Sequence, residues 1–292
     1  MIVVSAKSGK DTNAGTMAAP VREIARAVQL VEAGGTVVVL DSGEYQDFRV
    51  DKSLSVIAEG VHAEVLGTSG FYEGAIYVDA GAAGVVALRG LSVRGTGAGA
   101  SKGVKVSSGR VRIERCTISG FGSRPDGAPT AGITVYRGTV TVVDTVLRDN
   151  RAAIEASAQA GEVTRVSLER CRLHGDGGNN TNGIQVNAST RMAVSDSLVT
   201  DYGIGVYLRG YTGSPRAMLT LTGTTVANNR IGVYSDKDAQ VVIARSTVTL
   251  NDSGLVTLNG GVIYTAGDNA VLGNFTTDIG AGTVYAKPDL SI

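Results

Sequence analysis

The sequence lacks a net charge, a long apolar run and a set of cysteines, and each absence excludes a class of protein. It contains 27 basic and 27 acidic residues, so no positive excess indicates a nucleic-acid partner, and we expect none. No stretch approaches the roughly 18 to 20 apolar residues that span a bilayer, so we expect no membrane insertion. The two cysteines have no CxxC spacing, which argues against a disulfide framework and against a metal or redox motif of that kind.

Signals for targeting and for common catalytic sites are missing too. The N-terminal residues MIVVSAKSGKD contain no charged segment followed by a long apolar core, so they do not form a signal peptide. The chain is then either cytoplasmic, or a mature secreted or cell-surface protein without its leader. We find no H-E-x-x-H, no G-x-S-x-G and no G-x-G-x-x-G after a strand. Tryptophan is absent, which weakens the case for a sugar-stacking platform.

What the chain does contain is 40 glycines, 43% hydrophobic residues and a pattern that recurs every 22 to 29 residues. The pattern is an apolar residue, two turn residues, a small residue, any residue and a second apolar residue. A recurrence of this length indicates a solenoid of stacked repeats. The seven copies are LRGLSV (88–93), IERCTI (113–118), VVDTVL (142–147), LERCRL (168–173), VSDSLV (194–199), LTGTTV (221–226) and IARSTV (243–248).

A second short strand, usually opened by glycine, follows in each repeat, as in GITV (132–135) and GVYL (205–208). Three short strands per turn, with side chains alternating inward and outward, are what a parallel β-helix requires. A leucine-rich repeat or a propeller blade of about 40 residues would show other spacings. We therefore predict an all-β protein, a single-stranded right-handed parallel β-helix (β-solenoid), as one domain over residues 1–292 with its coils over 36–260.

The two ends of the chain depart from this repeat. Residues Pro20 to Ala33 carry apolar side chains at helical spacing, with Pro20 at a permitted first-turn position and Gly34 and Gly35 as the stop. A solenoid end exposes apolar surface and unpaired strand edges that need a cover. We predict that an α-helix over 20–33 caps this end within an N-terminal cap over 1–35, and that 261–292 form the last coil and a tail.

The repeat register also predicts which distant residues become neighbours. Cys116 and Cys171 occupy the small position in coils separated by one coil, in which Thr145 takes the same place. Stacking at ~4.8 Å per coil puts the cysteines roughly 9 to 10 Å apart, whereas a disulfide needs Cα atoms within about 7 Å. We predict two free, inward-facing thiols.

The segment from Gly9 to Tyr45 contains a D-x-N-x-G-T-x-x-x-P element, the predicted capping helix, a valine-rich strand and a G-x-Y. It resembles the N-terminal opening common in the pectate-lyase-like superfamily of right-handed β-helix proteins. The resemblance implies that fold and a secreted, carbohydrate-directed protein with a polysaccharide or oligosaccharide partner. It also implies two chemistries: lyases that combine calcium-binding carboxylates with an arginine or lysine base, and glycosidases with carboxylates about 6.5 to 9.5 Å apart.

Acidic and basic residues gather in the repeat register near one turn. Asp149, Asp176 and Asp201 lie at ~5 Å per coil in this register, and we predict them as ligands of Ca²⁺. The candidate catalytic residues, which bind a uronate carboxylate or act as acid or base, are Arg148, Arg151, Arg172, His174 and Asp201. The alternative is that these are ordinary turn residues and surface ion pairs, because Asp, Asn and Gly are common at turns.

Substrate-binding residues are predicted in two further places. The longer loops 121–131 and 175–182 are candidates for the wall of a groove, with Arg124 and Asp126 reaching toward the second loop. Tyr202, Tyr207 and Tyr234 are candidates for stacking on sugar rings. The alternatives are tolerated surface insertions and tyrosines that serve as good strand residues.

Two functions remain open from the sequence. One is a carbohydrate-active protein, either a Ca²⁺-dependent polysaccharide lyase or a glycoside hydrolase, acting on an acidic polysaccharide. The other is a non-catalytic sugar-binding, adhesive or structural solenoid. The aspartate pair and G-H-G of polygalacturonase-like β-helices are missing, as are the paired aspartates and arginine of pectin methylesterase-like ones, so no subfamily is assigned. We expect a monomer.

Overall fold

A computed structural model describes residues 1–68, 74–97, 101–122, 130–158, 162–211 and 213–279. In these ranges the backbone forms a right-handed parallel β-solenoid, which confirms the predicted fold class. The chain passes through three sheets in turn, and each strand pairs in parallel with its equivalents in the coils before and after. In the same ranges no helix is long and apolar enough to cross a membrane.

We name the sheets A, B and C in the order in which the chain meets them. The strands of sheet A are Ile2–Val4, Gly35–Val39, Leu54–Ile57, Val85–Arg89, Arg110–Glu114, Thr139–Val143, Thr164–Glu169, Thr190–Ser195, Met218–Thr222, Gln240–Ala244 and Val262–Thr265. The strands of sheet B are Gly43–Gln46, Ala63–Gly67, Leu91–Gly95, Thr117–Ser119, Val146–Arg148, Arg172–His174, Leu198–Thr200, Thr225–Ala227, Thr247–Thr249 and Ala270–Val271. The strands of sheet C are Phe48–Val50, Gly74–Asp79, Lys102–Ser108, Ala131–Val135, Ala152–Ala156, Asn182–Asn187, Ile204–Arg209, Ile231–Asp236, Ser253–Leu258 and Thr276–Ile279.

The core consists of ladders of inward side chains that run along the solenoid. In sheet A, Ile113 lies between Leu88 and Val142 of the neighbouring coils, and in sheet B Ile118 pairs with Leu147. All of these side chains are buried, and each fully buried aliphatic side chain contributes roughly 1.5 to 3 kcal/mol to folding. The two apolar positions of the repeat are therefore its core positions.

The small position of the repeat lies at the turn from sheet A to sheet B. In two coils its hydroxyl oxygen accepts a hydrogen bond from a backbone N–H of the preceding coil. Thr145 Oγ1 accepts the N–H of Cys116 at 3.3 Å, and Ser197 Oγ accepts the N–H of Cys171 at 3.0 Å. Both cysteines are buried and free, as predicted. A short side chain is needed here because the turn leaves little space between the coils.

The single helix of the described ranges, α1, spans Ile24–Leu30, so the predicted span of 20–33 is too long at both ends. At its start, Val21 forms a parallel bridge with Val4 of the edge strand, which holds residues 20 and 21 in an extended conformation. At its end, Val31 is already extended, at φ −68° and ψ 135°. Strand pairing at the edge overrides the helical pattern.

Helix α1 nevertheless covers the N-terminal end of the solenoid, as predicted. Ile24, Ala27 and Val28 are buried, and the helix contacts the first strands of all three sheets. Asp11 Oδ1 accepts the N–H groups of residues 22 and 23, each at 2.9 Å. The aspartate of the D-x-N element therefore holds the two residues that lead into the helix.

The C-terminal region adds one strand to each sheet, ending with Thr276–Ile279 in sheet C. The rest of the region predicted as last coil and tail, residues 280–292, lies outside the described residues.

Candidate functional site

The predicted patch of acidic and basic residues lies at the turn from sheet B to sheet C. Asp149, Asp201 and Asn228 hold the left-handed position of this turn, with φ of 56°, 63° and 56°. Asp and Asn tolerate this conformation better than other non-glycine residues. The next residue in the chain then points inward, as the burial of Asn150, Tyr202 and Asn229 shows, so in these three coils the turn presents an outward carboxylate or amide.

The structure does not bring the three aspartates together as the predicted calcium ligands. Asp149 Oδ2 pairs with Arg148 Nη1 at 2.6 Å, and Asp201 Oδ2 accepts the hydroxyl of Thr200 at 2.8 Å. Asp176 lies on the loop after strand Arg172–His174, where its Oδ1 accepts the N–H of Gly178 at 2.9 Å. Across the described ranges, no three His, Cys, Asp or Glu side chains gather as a metal site.

The loop between residues 174 and 182 explains this difference. It is longer than the equivalent turns after Arg148 and Thr200, and it begins at Gly175, which is the equivalent of Asp149 and Asp201, so Asp176 lies one residue further on. The carboxylate is used within its own loop instead, in an Asx-type hydrogen bond.

Two residues of the patch do form a pair. His174 and Thr200 are neighbours across sheet B, and Asp201 follows Thr200 at the turn. His174 Nδ1 lies 3.2 Å from Asp201 Oδ2, and the two side chains are 57% and 37% exposed. A carboxylate at Nδ1 fixes the imidazole orientation and leaves Nε2 free to accept a proton. This pair therefore has the geometry of an oriented, solvent-accessible base.

Arginines flank the pair on sheet B. Arg148 is the cross-strand neighbour of His174, and Arg172 precedes His174 by two residues on the same exposed face. In the part of the chain that the structure describes, the Arg172 side chain has no hydrogen-bond or ion-pair partner. Arg151, half-buried, lies past the turn, where its backbone pairs with residues 121 and 182.

A cavity of about 370 Å³ opens beside Asp201. Its far side is formed by residues of the next two coils, including Arg230 and Asp252. The loop that contains Asn179 forms one wall of the cavity and lies close to the backbone of Gly203. A Cβ atom at Gly203 would lie 2.2 Å from the Asn179 carbonyl oxygen. Arg230 and Asp252 are not among the predicted site residues, although the repeat register places both at the position of Arg151 in later coils.

Tyr202 is buried, and it does not offer a face to a sugar as predicted. Its side chain is only 2% exposed, and its ring packs against Gly175 and Gly183 of the preceding coil. Burial, together with the negative charges of nearby aspartates, raises the pKa of Tyr202 well above its usual range. Tyr202 therefore fills the inward turn position that asparagine holds in other coils.

Tyr207 and Tyr234 do form an aromatic pair on sheet C. They are cross-strand neighbours, with ring centroids 5.2 Å apart and an interplanar angle of 34°. Both rings are half-buried, and burial raises the pKa of both hydroxyls. Arg124 and Asp126, the predicted groove residues, lie outside the described residues.

Comparison with known proteins identifies the architecture. A family model described as "Right handed beta helix region" matches residues 74–277, and one described as "Protein of unknown function (DUF1565)" matches residues 7–63. No curated protein gives a significant match.

Three solved structures share the fold at low sequence identity. Pectate lyase Pel9A is 13% identical with a TM-score of 0.66, covering 99% of this chain and 81% of that one. Alginate lyase from Paenibacillus sp. strain FPU-7 is 13% identical with a TM-score of 0.67, covering 89% and 95%. XylC in complex with xylose is 11% identical with a TM-score of 0.58, covering 90% and 69%. The family model spans more than half of the sequence, and the chain therefore belongs to the right-handed β-helix family.

Proposed function

We propose that this chain cleaves an acidic polysaccharide by β-elimination, with His174 as the base. The observation that carries the proposal is the contact of 3.2 Å between His174 Nδ1 and Asp201 Oδ2 on an exposed face. Two structural neighbours are named as a pectate lyase and an alginate lyase, which supports an acidic polysaccharide as the substrate. A polymer of this kind also favours a secreted or cell-surface location.

The reaction needs one group that removes a proton and another that stabilises the charge that develops. His174 Nε2 would take the proton from the carbon next to the uronate carboxylate, while Asp201 holds the imidazole by its Nδ1 side. The electron pair of that C–H bond forms the new C=C bond as the glycosidic C–O bond breaks. The leaving oxygen takes a proton from solvent, which reaches this exposed site.

Arg172 is the residue best suited to bind the carboxylate of the reacting sugar. It lies on the same face as His174 and has no partner among the described residues, whereas Arg148 is already paired with Asp149. A guanidinium forms two parallel hydrogen bonds with a carboxylate. As negative charge develops on that carboxylate, these bonds strengthen and stabilise the transition state.

The test is the ultraviolet absorbance of the unsaturated product, with pectate, alginate and glycosaminoglycans as substrates. His174→Gln should lower kcat by about 10² to 10⁴, the usual contribution of a general base. His62→Gln is the matched control, because His62 is the only other histidine and is also exposed. Absence of product from every polymer, or equal rates for His174→Gln and the wild type, would refute the proposal.

A second candidate function, sugar binding without cleavage, is favoured by the Tyr207–Tyr234 pair. Two adjacent tilted rings on a strand face offer stacking surface to successive sugar units, and Asp236 and Arg209 extend the same strands. Isothermal titration with neutral and acidic oligosaccharides tests it. Tyr207→Ala should abolish binding if the pair is the platform, and unchanged affinity would exclude it.

A further inference from the structure

The outer face of sheet A carries a row of three arginines. Arg110 pairs with Thr139, Thr139 pairs with Arg165, and Arg165 pairs with Arg191, so the row runs along the solenoid axis over four successive coils. All four side chains are exposed. Within the described residues, none of the three arginines has an ion-pair partner or side-chain hydrogen bond.

Other arginines nearby are neutralised within the fold. Arg112 pairs with Glu114 at 3.0 Å, and Arg170 pairs with Asp144 at 2.7 Å. Glu162, which precedes Arg165 by three residues, pairs with Arg137 at 3.3 Å. The arginine row is therefore a local positive excess on a chain whose formal charge is zero.

This arrangement does not stabilise the fold. Like charges directly opposite each other on neighbouring strands are destabilising, and Arg165 and Arg191 are directly opposite. Replacement of either by a neutral residue would remove this repulsion at no cost in hydrogen bonds. A stripe that works against folding stability is explained if an anion outside the chain neutralises it.

We propose that the row of Arg110, Arg165 and Arg191 is a second binding surface for a linear acidic polysaccharide lying along the solenoid axis. The inference depends on the proposed function for the class of polymer, but sheet A is a different face from the turn that holds His174. Adjacent coils repeat at ~4.8 Å, a spacing close to the length of one sugar unit in an extended chain. Arg165 and Arg191 can therefore pair with the carboxylates or sulfates of two successive sugars, and Arg110, two coils from Arg165, with that of the next sugar but one.

The neighbouring outward row supplies groups suited to sugar hydroxyls. Ser167 lies on the same strand as Arg165 and Thr141 on the strand of Thr139, and Ser167 Oγ donates to Thr141 Oγ1 at 3.2 Å. A single row of charges with hydroxyls beside its two middle positions fits one polymer strand. A DNA duplex is a poorer fit, since its binding usually depends on about 6 to 10 phosphate contacts.

The experiment measures the affinity of the whole chain for polygalacturonate and alginate fragments at low and high salt. The double variant Arg165→Gln/Arg191→Gln should weaken binding by about tenfold or more, and salt should weaken wild-type binding more than that of the variant. The matched control, Arg112→Gln/Arg170→Gln, removes two paired charges from the same region and should leave the affinity unchanged. The melting temperature of the first variant should stay the same or rise, which excludes loss of binding through unfolding.

The outcomes separate this inference from the proposed function. Turnover by wild-type protein with no loss of affinity in Arg165→Gln/Arg191→Gln overturns the arginine row alone. Selective loss of affinity with no turnover on any polymer supports the row and refutes the elimination. Equal weakening by the control variant, or tighter binding of neutral dextran or duplex DNA than of polyuronate, also overturns the proposed surface.

Discussion

The side-chain oxygen of Asn251 accepts two hydrogen bonds from Asn229, one from its backbone N–H at 2.9 Å and one from its Nδ2 at 3.0 Å. Both side chains are buried at the turn from sheet B to sheet C. Asn274 accepts the same pair of bonds from Asn251 in the next coil, at 3.0 and 2.9 Å. An asparagine ladder thus satisfies the backbone of the turns at Tyr202, Asn229 and Asn251 and fixes the outward residue that precedes each of them.

We predict that Asn251→Ala destabilises the protein. The change leaves the backbone N–H of Asn229 without its acceptor, and a buried donor left unpaired costs about 1 to 3 kcal/mol. It also removes the hydrogen bonds that the Asn251 amide donates to the carbonyl oxygens of Val226 and Thr249. Urea unfolding followed by circular dichroism should show a lower midpoint. Asn179→Ala is the control, because that side chain is exposed, and its effect should stay within about 0.5 kcal/mol. Equal midpoints for the two variants would contradict the ladder.

A second prediction concerns stability at alkaline pH. Burial raises the pKa of Cys116 from 9.0 to about 11. The unfolded state therefore releases the thiol proton at lower pH than the folded state does, so stability is complete below pH 9 and declines as the pH rises to about 11. A shift of this size corresponds to about 3 kcal/mol.

Cys116→Ala should reduce this decline between pH 9 and 11, as measured by urea unfolding at a series of pH values. Part of the decline should remain, because burial also raises the pKa of Cys171 and of the tyrosines at 202, 207 and 234. Tyr45, whose pKa burial raises to about 12, produces a further decline at higher pH that the variant should retain. The native thiols should also resist Ellman's reagent until the protein unfolds. A pH profile identical to that of the wild type would show that this thiol is not the group responsible.

Gly203→Ala tests the wall of the cavity beside Asp201. Because the new Cβ would lie 2.2 Å from the Asn179 carbonyl oxygen, the loop must move, and overpacking of this kind costs about 1 to 3 kcal/mol. We expect a lower melting temperature and a raised KM for any substrate that occupies the cavity. Gly177→Ala is the comparison: its Cβ meets no atom within 4 Å, so only its left-handed backbone is strained.

The register of the repeat predicted the fold and the buried thiols because inward ladders depend only on side-chain size and polarity. It failed for Asp176, because the loop that follows strand Arg172–His174 is longer than its equivalents and uses this carboxylate for its own hydrogen bond. The prediction of an exposed sugar-binding ring at Tyr202 was also wrong. Tyr202 takes, in its coil, the inward position that Asn229 takes in the next one. The pairing of His174 with Asp201 depends on side-chain rotamers at a turn, and no periodic pattern encodes these.

The last prediction concerns calcium. Ca²⁺ takes six to eight oxygen ligands, and Asp149, Asp176 and Asp201 are each engaged by a donor of their own turn or strand. We therefore expect the same melting temperature in millimolar Ca²⁺ and in EDTA. An ion present at 100 times its dissociation constant would stabilise the folded state by about 2.7 kcal/mol, which is a shift of several degrees.

The test is sharpened by Asp176→Asn, which keeps an acceptor for the Gly178 N–H but removes the charge. If calcium raises the melting temperature of the wild type and not of this variant, then the loop rearranges to gather the aspartates, and the elimination would involve the ion. If calcium shifts neither protein while His174→Gln loses activity, the reacting centre depends on the His174–Asp201 pair alone. Arg172→Ala should then raise KM in Ca²⁺ and in EDTA alike, because its guanidinium would be the group that binds the carboxylate.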